Sequence, residues 1–247
     1  MTNVGDSYQQ PANTFSAKNV IHDFYNAIPS DQRYKGNSEL VIAPAAPLSQ
    51  MAGDNSNIDF VIPGKSVNGV LMVQDMQLVI DLKLTNMDGS QITAPGAYAS
   101  VTNNVVNSLF KAIEIKINEQ SINKQTASGH PYKSYIGRLL SYDDDVKDTL
   151  QVSGYIPDIT NEFDNVSKNG NIGLTERAKW WCEVQDQSFT YNNTAHRFIG
   201  NVDHDLSGLS VGLPPGTSVG FTFKQTKDDF RILGALGFGF GLVLIFR

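Results

Sequence analysis

Apolar and polar residues alternate with a period of two along much of this chain. Met76, Leu78, Ile80, Leu82 and Leu84 take every second position, with Gln77, Val79, Asp81 and Lys83 between them. That spacing predicts a strand with one face on a core and one in water. The turn residues Asn86-Met87-Asp88-Gly89 close it. Ile58, Phe60 and Ile62 repeat the pattern and stop at Pro63-Gly64. Ile113, Ile115 and Ile117 do so again, then Phe189 with Tyr191, Phe198 with Gly200 and Val202, and Val219 with Phe221 and Phe223. Leu40-Val41-Ile42 is a short apolar run ended by Pro44, and residues 90–103 and 151–175 read as loops. Ile80, Leu82, Ile115, Ile117, Phe221 and Phe223 are the expected core.

One segment has the other period. Tyr132, Tyr135, Ile136, Leu139 and Leu140 fall at i, i+3, i+4, i+7 and i+8. This predicts a helix over 131–141, with Pro131 at its first position. Tyr132, Ile136, Leu139 and Leu140 are expected to pack on the edge or end of a sheet. Leu174–Val184 (LTERAKWWCEV) reads as a second short helix running into a strand. Strands of this number and period, with one or two short helices in loops, predict an all-β chain folded as an antiparallel β-sandwich.

Composition adds bounds. The 247 residues, 40% hydrophobic, suffice for one large core or two small ones. The net charge of −6 without a basic stripe argues against direct nucleic-acid binding. Cys182 is the single cysteine, so no intramolecular disulfide forms. Residues 1–37 read as a polar N-terminal arm with an apolar island, His22–Pro29, and carry no secretory signal.

No chemistry is legible. No pair of the four histidines has the spacing of a zinc protease. Asp203-His204-Asp205 reads as a solvated loop, because a cupin-type metal site needs a further histidine and a glutamate at set spacings. Asp143-Asp144-Asp145 reads as the acidic N-terminal end of a helix over VKDTLQ. No catalytic, cofactor-binding or metal-binding residue is assigned, no cofactor is expected, and the chain is expected not to be an enzyme.

Two stretches carry a resemblance. NSLFKAIEIKINEQSI followed by PYKSYIGRLLSY, and HRFIGNVDHDLSGLSVGLPPGTSVGFTFKQTKDDFRIL, resemble the first jelly roll of double jelly-roll major capsid proteins from Polinton (Maverick) elements and adintovirus-like viruses. The second ends in Lys227, Asp228, Asp229 and Phe230, similar to the family's closing pattern. The resemblance spans roughly residues 22–233. It implies jelly-roll topology over 38–233 and a structural virion protein that builds a capsid shell. It also implies other capsid proteins as partners and trimers where a second jelly roll is present. The place of action would be the virion or host cell interior, without secretion or a membrane span. The alternatives are a single jelly roll binding a carbohydrate or receptor, and a penton-like minor capsid protein.

The tail, residues 234–247 (GALGFGFGLVLIFR), departs from the family. It reads as a truncated or frame-shifted end, or a gene-model error, with a genuine short strand as the alternative. It is too short to span a bilayer as a helix. A chain cut at Leu233 is therefore expected to be the more soluble one.

Overall fold

The computed structural model describes residues 40–42, 57–66, 69–93, 98–122, 129–141, 147–166, 170–185, 188–192, 194–208, 212–234 and 240–245. The N-terminal arm, its apolar island and Asp143–Asp145 lie outside the described residues. The chain divides into two units, Met1–Val41 and Ile42–Arg247.

The second unit is mostly antiparallel β-structure. Its strands are β1 (Asn57–Ile62), β2 (Gln77–Asn86), β3 (Ala99–Val101), β4 (Phe110–Ile117), β5 (Gln120–Ser121), β6 (Cys182–Gln185), β7 (Ser188–Tyr191), β8 (His196–Asn201), β9 (Val219–Gln225), β10 (Ile232–Gly234) and β11 (Phe240–Ile245). One sheet runs β1-β9-β4-β5 and a second runs β11-β2-β8; β10-β3 and β6-β7 form two-stranded pairs. Each pairing is antiparallel.

β9 shows why these residues choose strands. Val219, Phe221, Phe223 and Gln225 are buried, and the residues between them are half-buried. On the outer side Thr222 donates to Asp59 on β1, and Lys224 pairs with Glu114 on β4. Cross-strand pairs of this kind add to what burial of the aromatic face already gives. Ile58, Ile113, Ile115, Phe221 and Phe223 from the first sheet share one buried cluster with Ile80, Leu82 and Phe198 from the second. Five of the six expected core residues are buried, and Ile117, near the strand end, is half-buried against the same cluster.

Five short α-helices occur among the described residues, against the one or two helices expected: α1 (Val105–Ser108), α2 (His130–Ser141), α3 (Lys147–Val152), α4 (Ile172–Ala178) and α5 (Asp228–Arg231); Gly64–Ser66 and Val73–Asp75 add two 3-10 turns. The two of four residues follow no periodic run, so pattern could not find them. The expected loop 90–103 contains β3, which pairs with β10. Leu40–Ile42 forms no strand. Residues 240–245 of the tail pair along β2, from Phe240 opposite Asn86 to Ile245 opposite Asp81. Leu242 is buried there. Greater solubility after a cut at Leu233 is no longer expected, because the cut removes β11 and bares the edge of β2.

Candidate assembly surface

Helix α2 forms where its period predicts, between His130 and Ser141, but it is turned the other way. Tyr132, Ile136, Leu139 and Leu140 are 60%, 56%, 49% and 85% exposed, so the apolar stripe expected on a sheet faces outward. Tyr132 touches Phe230 edge-on, with ring centroids 5.5 Å apart. The buried positions are instead His130, Pro131 and Ser134.

The reason lies in partners distant in sequence. His130, Ser134 and Arg138 fall at i, i+4 and i+8, a polar stripe on the same helix. Asn104, held in a left-handed conformation (φ 57°), donates from Nδ2 to Ser134 Oγ at 2.7 Å. Ser134 Oγ in turn donates to Asp203 Oδ2, and Arg138 Nη2 donates to Asp203 Oδ1 at 3.3 Å. The Asp203 amide donates to Asn107 Oδ1 at 3.0 Å. Lys133 reaches Asp205 at 3.3 Å. Asn104, Asn107 and Ser134 are buried, and a buried amide or hydroxyl left without a partner costs about 1–3 kcal/mol. Turning the apolar stripe inward would leave this set unmatched. The helix therefore keeps its polar side in and its apolar side out.

Asp203-His204-Asp205 is consequently not a solvated loop. Asp203 is half-buried in this seam, and only Asp205 is exposed. His204 is buried, its ring edge-on to Phe221 at 5.6 Å. The Leu206 amide donates to its Nδ1 at 3.1 Å. Burial, the main influence, lowers its pKa from the usual value. Among the described residues, no group of three His, Cys, Asp or Glu could hold a metal ion. No helix among them is long and apolar enough to cross a membrane.

No family model matches the chain, and no curated protein matches it.

A second buried polar centre is not marked by any sequence pattern. Arg177 on α4 is fully buried and donates to Val101 O at 3.0 Å, Ile156 O at 2.9 Å and Asp158 Oδ1 at 2.8 Å. Asp158 also accepts from Asn103 and Asn171. Asn171 caps α4 by accepting from the Leu174 amide at 3.3 Å. This centre ties the irregular segment 153–166 and Asn171 to β3. All its donors face backbone or Asp158, so it reads as a fastening. Trp181 is also fixed, with Nε1 donating to Leu82 O at 2.9 Å, while Trp180 is half-buried and stacks on His196.

Proposed function

We propose that this chain is a structural virion protein, the N-terminal jelly roll of a double jelly-roll major capsid protein of a virus-like element. The observation that carries the reading is the outward apolar stripe of α2. Contiguous exposed apolar side chains mark surfaces that another molecule covers. Here the stripe is held outward by a matched polar seam, so its exposure is built in.

The strand pairing supports the jelly-roll part of the proposal. β10 and β11 pair with β3 and β2 outside this order, but β1 with β9 and β2 with β8 join early strands to late ones in nested order. A long antiparallel ribbon folded back over itself gives that order, and a jelly roll is such a ribbon closed into two sheets. The partners are other copies and other capsid proteins, with trimers where a second jelly roll is present. The place of action is the virion or host cell interior.

Light scattering and negative-stain imaging of the full 247-residue chain test the proposal. We expect concentration-dependent association without a regular shell, and trimers when a second jelly roll is joined in frame. Leu139→Lys with Leu140→Lys should suppress the association while leaving the unfolding midpoint nearly unchanged. A chain that stays monomeric at high concentration would count against the capsid reading and favour a single jelly roll that binds a carbohydrate or receptor.

A further inference from the structure

Two histidines are buried where α2 meets the turn after β8. His130, the first residue of α2, is 4% exposed, and its Nε2 has no hydrogen-bond partner. His204 is 6% exposed, and its Nδ1 is spent on the Leu206 amide. Its Nε2 is buried beside the Val73 backbone. We propose that His130, backed by His204, is an acid-sensitive latch. It holds the His130–Ser141 helix on the β-framework at neutral pH and lets the helix open in mild acid.

A neutral imidazole suits this buried site and an imidazolium does not. The nearby carboxylates already have partners. Asp203 is taken by Ser134 and Arg138, and Asp205 by Lys133. On its own helix His130 has the cations Lys133 and Arg138; from the turn it has Asp203, His204 and Asp205. α1 brings no charged residue, and β4 brings Lys111, Glu114 and Lys116, with Glu114 engaged by Lys224. The position at the start of a helix, its positive end, adds a further cost to a cation. Burial dominates and lowers the His130 pKa to about 4, against the pull of Asp203 and Asp205.

The sign follows from linkage. In the opened helix His130 is solvated and recovers its ordinary pKa of 6.5. Below that pH the open state binds a proton that the closed state refuses, until the pH reaches about 4. Opening therefore becomes easier as pH falls through this window, by about 30-fold between pH 7.5 and pH 5. Because the apolar stripe rides on α2, acid would loosen the proposed assembly surface. The latch itself does not depend on the capsid reading.

Hydrogen exchange of the full chain, corrected for intrinsic exchange rates, tests it. Amides of 130–141 should lose protection by about 30-fold from pH 7.5 to pH 5, while β9 keeps its protection. His130→Phe, which fills the space without titrating, should abolish the difference. His204→Gln should reduce it. Equal loss in the wild type and His130→Phe, or helix loss no steeper than that of β9, would overturn the latch. If His130→Phe does not fold, NMR titration of the His130 ring in the wild type decides. A pKa well below the ordinary value supports the latch, and an ordinary one refutes it.

Discussion

Replacing Arg177 by Met keeps most of the apolar stem and removes the guanidinium. The guanidinium is the donor to Val101 O, Ile156 O and Asp158 Oδ1. After the change, Ile156 O still accepts from Asn103 Nδ2 at 2.6 Å. Asp158, with a side chain only 4% exposed, keeps Asn103 at 3.2 Å and Asn171 at 2.8 Å but loses its cation. A buried carboxylate left with two neutral donors is the costly outcome. Breaking a buried pair from one side typically costs about 3–5 kcal/mol. A domain of this kind is stable by about 5–15 kcal/mol, so the variant should sit near the edge of folding at ambient temperature. Urea unfolding followed by tryptophan emission is the assay, since Trp181 is fully buried in the hydrophobic core. The second arm of the experiment removes both charges. Arg177→Met with Asp158→Leu should cost less than the sum of the two single changes, with a coupling of about 0.5–3 kcal/mol. Strict additivity, or a loss below about 1 kcal/mol for Arg177→Met, would show that the ion pair is not what fastens segment 153–166.

Burial and space set three further outcomes. Ile115→Ala should cost about 2–5 kcal/mol in the same unfolding assay, because the side chain is fully buried between the sheets. At Gly137, proline should cost about 3 kcal/mol or more by breaking α2. Alanine there should gain up to about 1 kcal/mol, since an added Cβ meets nothing within 4 Å. Cys182 is buried and its thiol is pushed up to about 12, first by burial. A thiol reagent at pH 8 should therefore leave the native chain unlabelled and label it fully in urea, as mass spectrometry will report.

Strand positions were legible in the sequence because alternation states the period and the inner side together. In β9 every second residue from Val219 to Phe223 is apolar, so a single register satisfies it. β4 was harder. Phe110 pairs with Gln225 and Ala112 with Lys224, a register shift that inserts one extra residue. Phe110 and Ile113 are both buried although they are three positions apart. No local pattern announces such a bulge. β3 and α1 are too short to show a period. Arg177 lies among ordinary helix formers, and nothing within a few residues marks it as buried. The partners that determine its place are Val101, Ile156 and Asp158, brought to it by the fold.

Helix α2 separates two things that hydrophobic periodicity is usually taken to give at once. The period states which residues share a face. It does not state which face goes in. His130, Ser134 and Arg138 form a stripe of the same period as Tyr132, Ile136 and Leu139. The choice between the two stripes is made by Asn104 and Asp203, which lie 30 and 69 residues from Ser134. Ser134 and Arg138, turned inward, meet Asn104 and Asp203 already in place, which offsets much of the cost of inversion, although the His130 Nε2 finds no partner. What remains is a row of apolar side chains in water, a cost that contact with another molecule would remove. The polar seam and the exposed stripe are therefore one feature seen from two sides. Disrupting the seam, for example by Ser134→Ala, should loosen α2 and weaken association together. Lysines on the stripe should weaken association alone.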